Sequence, residues 1–183
     1  MDRRQQKTRK AIFEAFEELI ATKKYEKITV QDIIDEADIG RTTFYTHFET
    51  KDSVLDAICV ELFTHIFEEE PHTEADHDFS DGNHSCQEKI THILYHLKEN
   101  KKRYKKFFNS ESSELFWSYF RKWFTKELEN EIEEQMSNKK LNVPQELYRD
   151  FYVNSFIITV KWWFEEKCQT TPEQVGEYFD EII

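Results

Sequence analysis

Apolar residues recur every three or four positions along most of the chain, which is the spacing of amphipathic helices. In the N-terminal part this spacing predicts helices at 5–22, 30–37, 41–48 and 51–69. Thr29 and Asp32 are spaced as a capping box at the start of the second helix. Asp38 and Gly40 tolerate the left-handed backbone of a tight turn between the two short helices. The second and third helices therefore form a predicted helix-turn-helix.

The C-terminal part shows the same period. Helices are predicted there around 90–97, 114–136, 144–167 and 172–183. A polar, acidic stretch without periodicity at 71–85 predicts a flexible link. The helix at 144–167 carries apolar residues on nearly every side, so it must be buried on every side, which indicates a partner subunit. The pattern as a whole predicts an all-α protein.

Composition supports this fold class and excludes others. The 183 residues include only three Gly and three Pro, too few turn-formers for a many-stranded sandwich or barrel. Aromatic residues make up 15%, and their large buried area can sustain a core in a polar chain. No apolar run is long enough to span a membrane, and the charged N-terminus is unlike a signal peptide. Three widely spaced cysteines indicate reduced thiols and a cytoplasmic location.

The charge is unevenly placed along the chain. The formal net charge is −12, yet residues 1–55 hold 10 Lys and Arg against 11 Asp and Glu. The first twelve residues are locally basic, with Arg3, Arg4, Lys7, Arg9 and Lys10 against a single acid. A strongly acidic body repels DNA, so any contact with nucleic acid is expected from this N-terminal part.

The N-terminal segment resembles a known DNA-binding domain. The segment at 28–48 reads ITVQDIIDEADIGRTTFYTHF and is followed by Lys51 and Asp52. It is similar to the helix-turn-helix domain of TetR-family transcription regulators, most specifically from Thr43 to Lys51. Ile34, Asp38 and Gly40 depart from the commonest family pattern, which indicates slightly wider packing of the two helices.

The resemblance implies that the third helix enters the major groove of DNA. Arg41 is then placed to read guanine, and threonine methyl groups to meet thymine methyls. In this family, Tyr45 and Lys51 correspond to residues that hold phosphates. Phe44 and Phe48 are expected in the core. The residues expected to meet DNA are Thr29, Gln31, Arg41, Thr42, Thr43, Tyr45, Thr46, His47 and Lys51.

The C-terminal part resembles a domain common among TetR-like regulators. The resemblance covers residues 93–108 and the Trp-Trp helix with the Thr-Pro-Glu-Gln that follows it. It implies that the last two helices pair with their twins in a homodimer. The expected interface residues are Phe151, Ile158, Trp162, Val175, Tyr178, Phe179 and Ile182. Bulky residues at 156–158 stand where the family usually has small ones.

Several aromatic residues are candidates for an effector pocket or for plain core. The candidates for a pocket that takes a small apolar or aromatic effector are Trp117, Phe120, Trp123, Phe124 and Trp162. The basic run at 101–106 is interpreted as offsetting nearby acids rather than binding DNA.

Metal and enzyme chemistry are the remaining alternatives. His92 and His96 have a spacing that can bind zinc, but they lie opposite the apolar residues of their helix and are interpreted as exposed polar side chains. No metal and no cofactor is predicted, although metal binding by the His-rich segment at 72–96 stays open. No nucleophile elbow, phosphate-binding glycine loop or metal-hydrolase signature occurs, so an enzyme is not expected.

These observations predict two parts, a helix-turn-helix DNA-binding domain at 1–50 and a helical regulatory and dimerisation domain at 51–183. The expected function is that of a TetR-type repressor. It would bind a pseudo-palindromic operator in double-stranded DNA as a homodimer, respond to an effector, and have no membrane partner. The alternative is a TetR-like co-regulator controlled by a protein partner rather than by a small molecule.

Overall fold

The computed structural model describes residues 3–67, 72–73, 78–79, 85–108, 110–111 and 113–183. Over these residues the protein is all-α, as predicted, apart from one pair of two-residue strands. The helices are α1 (Arg3–Thr22), α2 (Val30–Glu36), α3 (Arg41–His47), α4 (Lys51–Phe67), α5 (Cys86–Glu99), α6 (Lys101–Phe108), α7 (Ser113–Glu127), α8 (Glu129–Asn138), α9 (Gln145–Glu165) and α10 (Pro172–Ile182). A short 3-10 helix, Tyr25–Lys27, connects α1 to α2.

Two predicted segments differ from the structure. The single helix expected at 114–136 is two helices, α7 and α8, which meet at Leu128. Phe124, Leu128 and Ile132 are all buried, so the apolar period continues through the break and carries no signal of it. The basic run at 101–106, for which no helix was predicted, is part of the regular helix α6, because Tyr104 and Phe107 give that helix a buried side.

Most of the predicted link at 71–85 lies outside the described residues. Within it, His72–Thr73 and Asp78–Phe79 form antiparallel strands, with His72 opposite Phe79 and Thr73 opposite Asp78. Among the helices that the structure describes, none is long and apolar enough to cross a lipid bilayer.

The chain forms two compact units, and each is built from separate stretches of sequence. The first unit comprises Met1–Val60 and Lys101–Phe120, and the second comprises Glu61–Asn100 and Arg121–Ile183. The first unit is larger than the domain predicted at 1–50, because α6 and the first half of α7 belong to it. The functional boundary at residue 50 stays a prediction.

The core of the first unit joins α1 to α6. The rings of Phe16 and Phe107 lie 6.4 Å apart between their centroids. Arg103 pairs with Glu17, whose side chain is only 5% exposed, and Lys106 pairs with Glu18. The basic side chains of α6 therefore offset acids of α1, and Arg103 compensates a carboxylate whose burial is costly without a partner.

The core of the second unit is aromatic. Phe124 and Phe156 stack with centroids 4.6 Å apart, and Phe179 meets Phe156 edge-on at 5.3 Å. Helix α10 lies against α5 at Gly176, where an added Cβ would sit 2.6 Å from Thr91 Oγ1. This close approach explains why the position has no side chain.

Candidate nucleic-acid interface

Helix α2 begins with the capping box that the sequence predicts. The Thr29 hydroxyl accepts a hydrogen bond from the Asp32 amide at 3.1 Å, and the Thr29 amide donates to the Asp32 carboxylate at 2.8 Å. Lys23 also donates to this carboxylate at 2.8 Å, which ties the end of α1 to α2. The hydrogen bonds from Lys23 and Thr29 lower the pKa of Asp32 from 3.8 to about 2.

We expect Asp32→Asn to destabilise the protein at neutral pH and progressively less so below pH 4. The folded-state pKa of Asp32 is below its unfolded value, so the ionised carboxylate stabilises the fold above about pH 4, and this contribution is lost as the pH falls through about 2. Thermal unfolding between pH 7 and the lowest pH at which the protein folds measures it, with Glu36→Gln on the same helix as control. A difference between wild type and Asp32→Asn that stays constant across this range would contradict the assignment.

The turn between α2 and α3 is built on Asp38. Asp38 takes the left-handed conformation with φ 49°, whereas Gly40, the N-cap of α3, has an extended backbone with φ −74°. Both residues were expected to tolerate the left-handed region, and only Asp38 uses it. The Ile39 amide donates to the Ile34 carbonyl at 3.2 Å, which closes the turn.

Helix α3 separates the predicted core residues from the predicted DNA-binding residues. Phe44 and Phe48 are buried, as expected, and their rings lie 6.2 Å apart. Tyr45 is 49% exposed although its ring meets Phe44 edge-on at 5.5 Å. His47 is half-buried, and the exposed residues of α3 are Arg41, Thr42, Thr43, Tyr45 and Thr46. This face offers one cation, one phenol and three hydroxyls to a ligand.

Thr29 and Gln31, both expected to meet DNA, are exposed at the start of α2. Their side chains also have local roles. Gln31 donates to Asp35 at 2.7 Å, and Thr29 belongs to the capping box.

A basic segment of α1 that the site prediction left out lies beside α3. The Arg9 guanidinium lies over the rings of Phe13 and Phe48, 4.9 and 5.0 Å from their centroids. Residues 3–10 contain no buried residue and no acid. The +4 charge of the first twelve residues was the sequence signal that could have indicated this basic surface. The position of Arg9 over the Phe48 ring places the surface next to α3, the proposed recognition helix.

Lys51, predicted to hold a phosphate, has internal partners in the structure. Its ammonium donates to the carbonyls of Tyr25 and Ile28 at 2.7 and 2.8 Å. It also lies 4.2 Å from the centroid of the Tyr25 ring. The side chain is therefore held at the connection between α1 and α2.

The predicted pocket residues are divided between the two units. Trp117 and Phe120 belong to the first unit and are buried. In the second unit Phe124 is buried on Phe156, whereas Trp123 is half-buried, and its ring meets the ammonium groups of Lys122 and Lys126. Trp162, also in the second unit, is exposed.

The predicted dimer residues separate into an exposed and a buried set. The exposed set, here called the α9–α10 face, consists of Phe151, Ile158, Trp162, Tyr178 and Ile182. All of these residues except Phe151 line a groove of about 400 Å³, together with Thr159 and Glu181. Val175 and Phe179 are buried inside the protomer, where Phe179 packs on Tyr152 and Phe156, so they have no surface to offer a partner. Leu147, which the prediction omitted, is exposed one helical turn before Phe151.

The expectation that His92 and His96 are exposed is wrong. His92 is only 4% exposed, and its Nε2 lies 2.8 Å from His96 Nε2. Helix α5 is packed on more than one side, since Tyr95 bonds to Glu173 of α10 and Lys89 pairs with Glu131 of α8. Among the described residues, no group of three or more His, Cys, Asp or Glu is arranged to hold a metal ion.

A seven-residue helix with an exposed polar face, fixed by a capped partner helix and a tight turn, defines a helix-turn-helix DNA-binding protein. Comparison with known proteins gives the family. Residues 12–58 match the model of bacterial regulatory proteins of the tetR family, and residues 84–183 match a transcriptional regulator C-terminal region.

Individual relatives agree with this family. A TetR transcriptional regulator from Streptococcus agalactiae 2603V is 33% identical, with 97% of this chain and 94% of that one covered and a TM-score of 0.64. The activator DhaS of the dhaKLM operon of Lactococcus lactis is 35% identical over 101 residues, which are 55% of this chain and 49% of that protein. The uncharacterized regulator YxbF of Bacillus subtilis is 37% identical over 71 residues, 36% of this chain and 19% of that protein.

The chain belongs to the TetR family of transcriptional regulators. It is a DNA-binding regulator and not an enzyme. The matched segments span about half or less of the two curated relatives.

Proposed function

We propose that the protein is a homodimeric repressor of the bacterial cytoplasm that binds a pseudo-palindromic operator and is modulated through its C-terminal part. The α9–α10 face carries this proposal. It exposes five large apolar side chains on two helices, and Ile158 is 65% exposed. Contiguous apolar patches of this kind mark interaction sites, and a two-fold interface uses the same patch on both subunits.

The short recognition helix supports a dimer on independent grounds. Helix α3 has seven residues, and its exposed face reaches only a few base pairs. Two copies related by a two-fold axis, with recognition helices about 34–36 Å apart, read two half-sites in successive major grooves. Arg41 is the proposed base-reading residue, and Tyr45 is proposed to contact a phosphate. The basic residues at the start of α1 are proposed to contact further phosphates close to the one bound by Tyr45.

The nature of the effector distinguishes two candidates. A small apolar or aromatic molecule would need space among the predicted pocket residues. Phe124 is instead fully buried and stacked on Phe156, and Trp117 is stacked on Phe108 at 4.5 Å. This close packing favours the second candidate, a co-regulator controlled by a protein partner that binds its acidic C-terminal part. Control of either kind works by favouring one of two conformations with different affinity for DNA.

Selection of binding sites from a random DNA library tests the proposal. The purified protein would be used at two salt concentrations, and the mass of the complex would be determined by sedimentation. We expect enrichment of a two-fold symmetric site that binds one dimer. In a reporter strain, the selected site placed over a promoter should lower expression. Binding that is salt-sensitive and blind to sequence, or a complex with one subunit, would overturn the proposed operator recognition.

A further inference from the structure

Helix α5 carries two histidines that are one helical turn apart and largely buried. His92 is only 4% exposed, and the side chain of His96 is 12% exposed. Residues four apart are neighbours on the surface of a helix, so the two imidazole rings lie on the same side of α5. Burial of a polar ring is costly unless a partner compensates it, and here each ring has the other as a partner.

The two rings turn the same nitrogen toward each other. Nε2 of His92 lies 2.8 Å from Nε2 of His96, and the ring centroids are 4.6 Å apart. Two nitrogens at this distance cannot both carry a proton, so at least one of them presents a lone pair to the other. A neutral histidine has its proton on either ring nitrogen. With both protons on Nδ1, the two Nε2 lone pairs are available to the same metal ion.

The distance between the nitrogens indicates which metal ions fit. Bound at about 2.0–2.1 Å from an ion, two nitrogens lie about 2.9 Å apart at a right angle and about 3.3 Å apart at the tetrahedral angle. The observed 2.8 Å matches the right angle, which is typical of tetragonal Cu²⁺ and Ni²⁺ sites rather than of tetrahedral zinc. Imidazole suits these ions, whereas Mg²⁺ and Ca²⁺ prefer oxygen ligands.

Glu99 favours the form of His96 that can bind a metal. Its carboxylate lies 3.6 Å from Nδ1 of His96, one turn further along α5, and its side chain is 39% exposed. A carboxylate beside Nδ1 favours the tautomer with the proton on Nδ1, which leaves the Nε2 lone pair for the ion. Carboxylates orient metal-binding histidines in this way in many proteins.

We propose that His92 and His96 bind one divalent transition-metal ion, Cu²⁺ or Ni²⁺, through their Nε2 atoms, with Glu99 as a positioning residue. In the part of the chain that the structure describes, no group of three or more His, Cys, Asp or Glu could hold a metal, so the protein supplies two ligands. The His96 side chain is partly exposed, and water completes the coordination from that side. The proposal goes beyond operator recognition and does not depend on it.

Titration with Ni²⁺ alone tests the proposal, because this ion does not oxidise the cysteine thiols. Untagged protein is freed of metal with a chelator and titrated by calorimetry. We expect one ion per protomer in wild type, and loss of this binding in His92→Leu and in His96→Gln. His92→Leu keeps an apolar side chain at the buried position, and circular dichroism verifies that both variants fold. Glu99→Gln should bind Ni²⁺ about tenfold more weakly, the effect expected for a group that orients a metal ligand.

The matched control combines His72→Gln, His77→Gln and His84→Gln. It removes the three histidines that the sequence places between α4 and α5, and it should bind Ni²⁺ as wild type does. Ni²⁺ should also raise the unfolding midpoint of wild type and of this control, but not that of His96→Gln. Binding that survives in both His92→Leu and His96→Gln, or that disappears in the control, would overturn the proposal. A wild-type protein that binds no Ni²⁺ would show that the two nitrogens share only a proton.

Discussion

Ile158→Glu is expected to convert the proposed dimer into monomers and to abolish tight operator binding. Ile158 belongs to the α9–α10 face and lines its groove together with Trp162 and Tyr178. Burying an isoleucine side chain contributes about 1.5–3 kcal/mol to the free energy of association. Because the interface is two-fold symmetric, one substitution removes this contribution from both subunits. A buried unpaired carboxylate adds a further cost. The dimer dissociation constant should therefore rise by roughly a thousandfold or more.

Sedimentation over a range of protein concentrations measures this change, together with binding to the full operator and to one half-site. The matched control is Val143→Glu, which introduces the same charge at another exposed apolar residue, in the connection before α9. The control should remain dimeric. An Ile158→Glu protein that is dimeric at low micromolar concentration and binds its operator normally would show that the two subunits meet elsewhere.

Arg41→Ala is expected to relax the base preference of the protein. Arg41 is the first residue of α3, is exposed, and is the proposed reader of guanine. A bidentate contact between arginine and guanine discriminates against the wrong base by about 1–3 kcal/mol in each half-site. Affinity for the selected operator should fall by at least about tenfold, while affinity for random DNA changes much less.

Tyr45→Phe is the comparison variant for this experiment. It removes the hydroxyl of the proposed phosphate contact and keeps the ring on Phe44. Phosphate contacts carry no sequence information, so Tyr45→Phe should weaken binding to operator and random DNA by the same factor. Competition titrations on both DNAs distinguish the variants. Equal losses on the two DNAs for Arg41→Ala would contradict its role as a base reader.

The helix-turn-helix was predictable because each of its parts has a local cause. The Thr29–Asp32 capping box, the tight turn at Asp38 and the buried pair Phe44 and Phe48 depend on residues within one or two turns of one another. Interactions of this range are visible in a sequence as spacing.

Features without a local signal in the sequence were not predictable in this way. The burial of His92 follows from helices that pack on α5, and the break at Leu128 interrupts no apolar pattern. Val175 and Phe179 share a stripe in the sequence with Tyr178 and Ile182, but within the protomer the first two are buried and the last two exposed. The spacing of apolar residues in a sequence shows that a helix has an apolar side. It does not show whether that side is covered by the same protomer or by a partner.

The contacts of Lys51 within the protein were not predictable for a related reason. A lysine at the start of the helix that follows a recognition helix is expected to bind a phosphate. The sequence shows the charge of this lysine but not its partners within the protein. Those partners are backbone carbonyls more than twenty residues away, and a carbonyl has no residue type to signal it.

The salt bridge between Arg103 and the buried Glu17 bears on how this regulator can be recombined with its relatives. A chimera that joins residues 1–60 of this protein to the C-terminal part of a relative would lack Arg103, the partner of Glu17, and Phe107, the partner of Phe16. The DNA-reading module is therefore not a contiguous cassette. Exchange of operator specificity between relatives would require transfer of Lys101–Phe120 along with the N-terminal segment, or redesign of α1 to match the new α6.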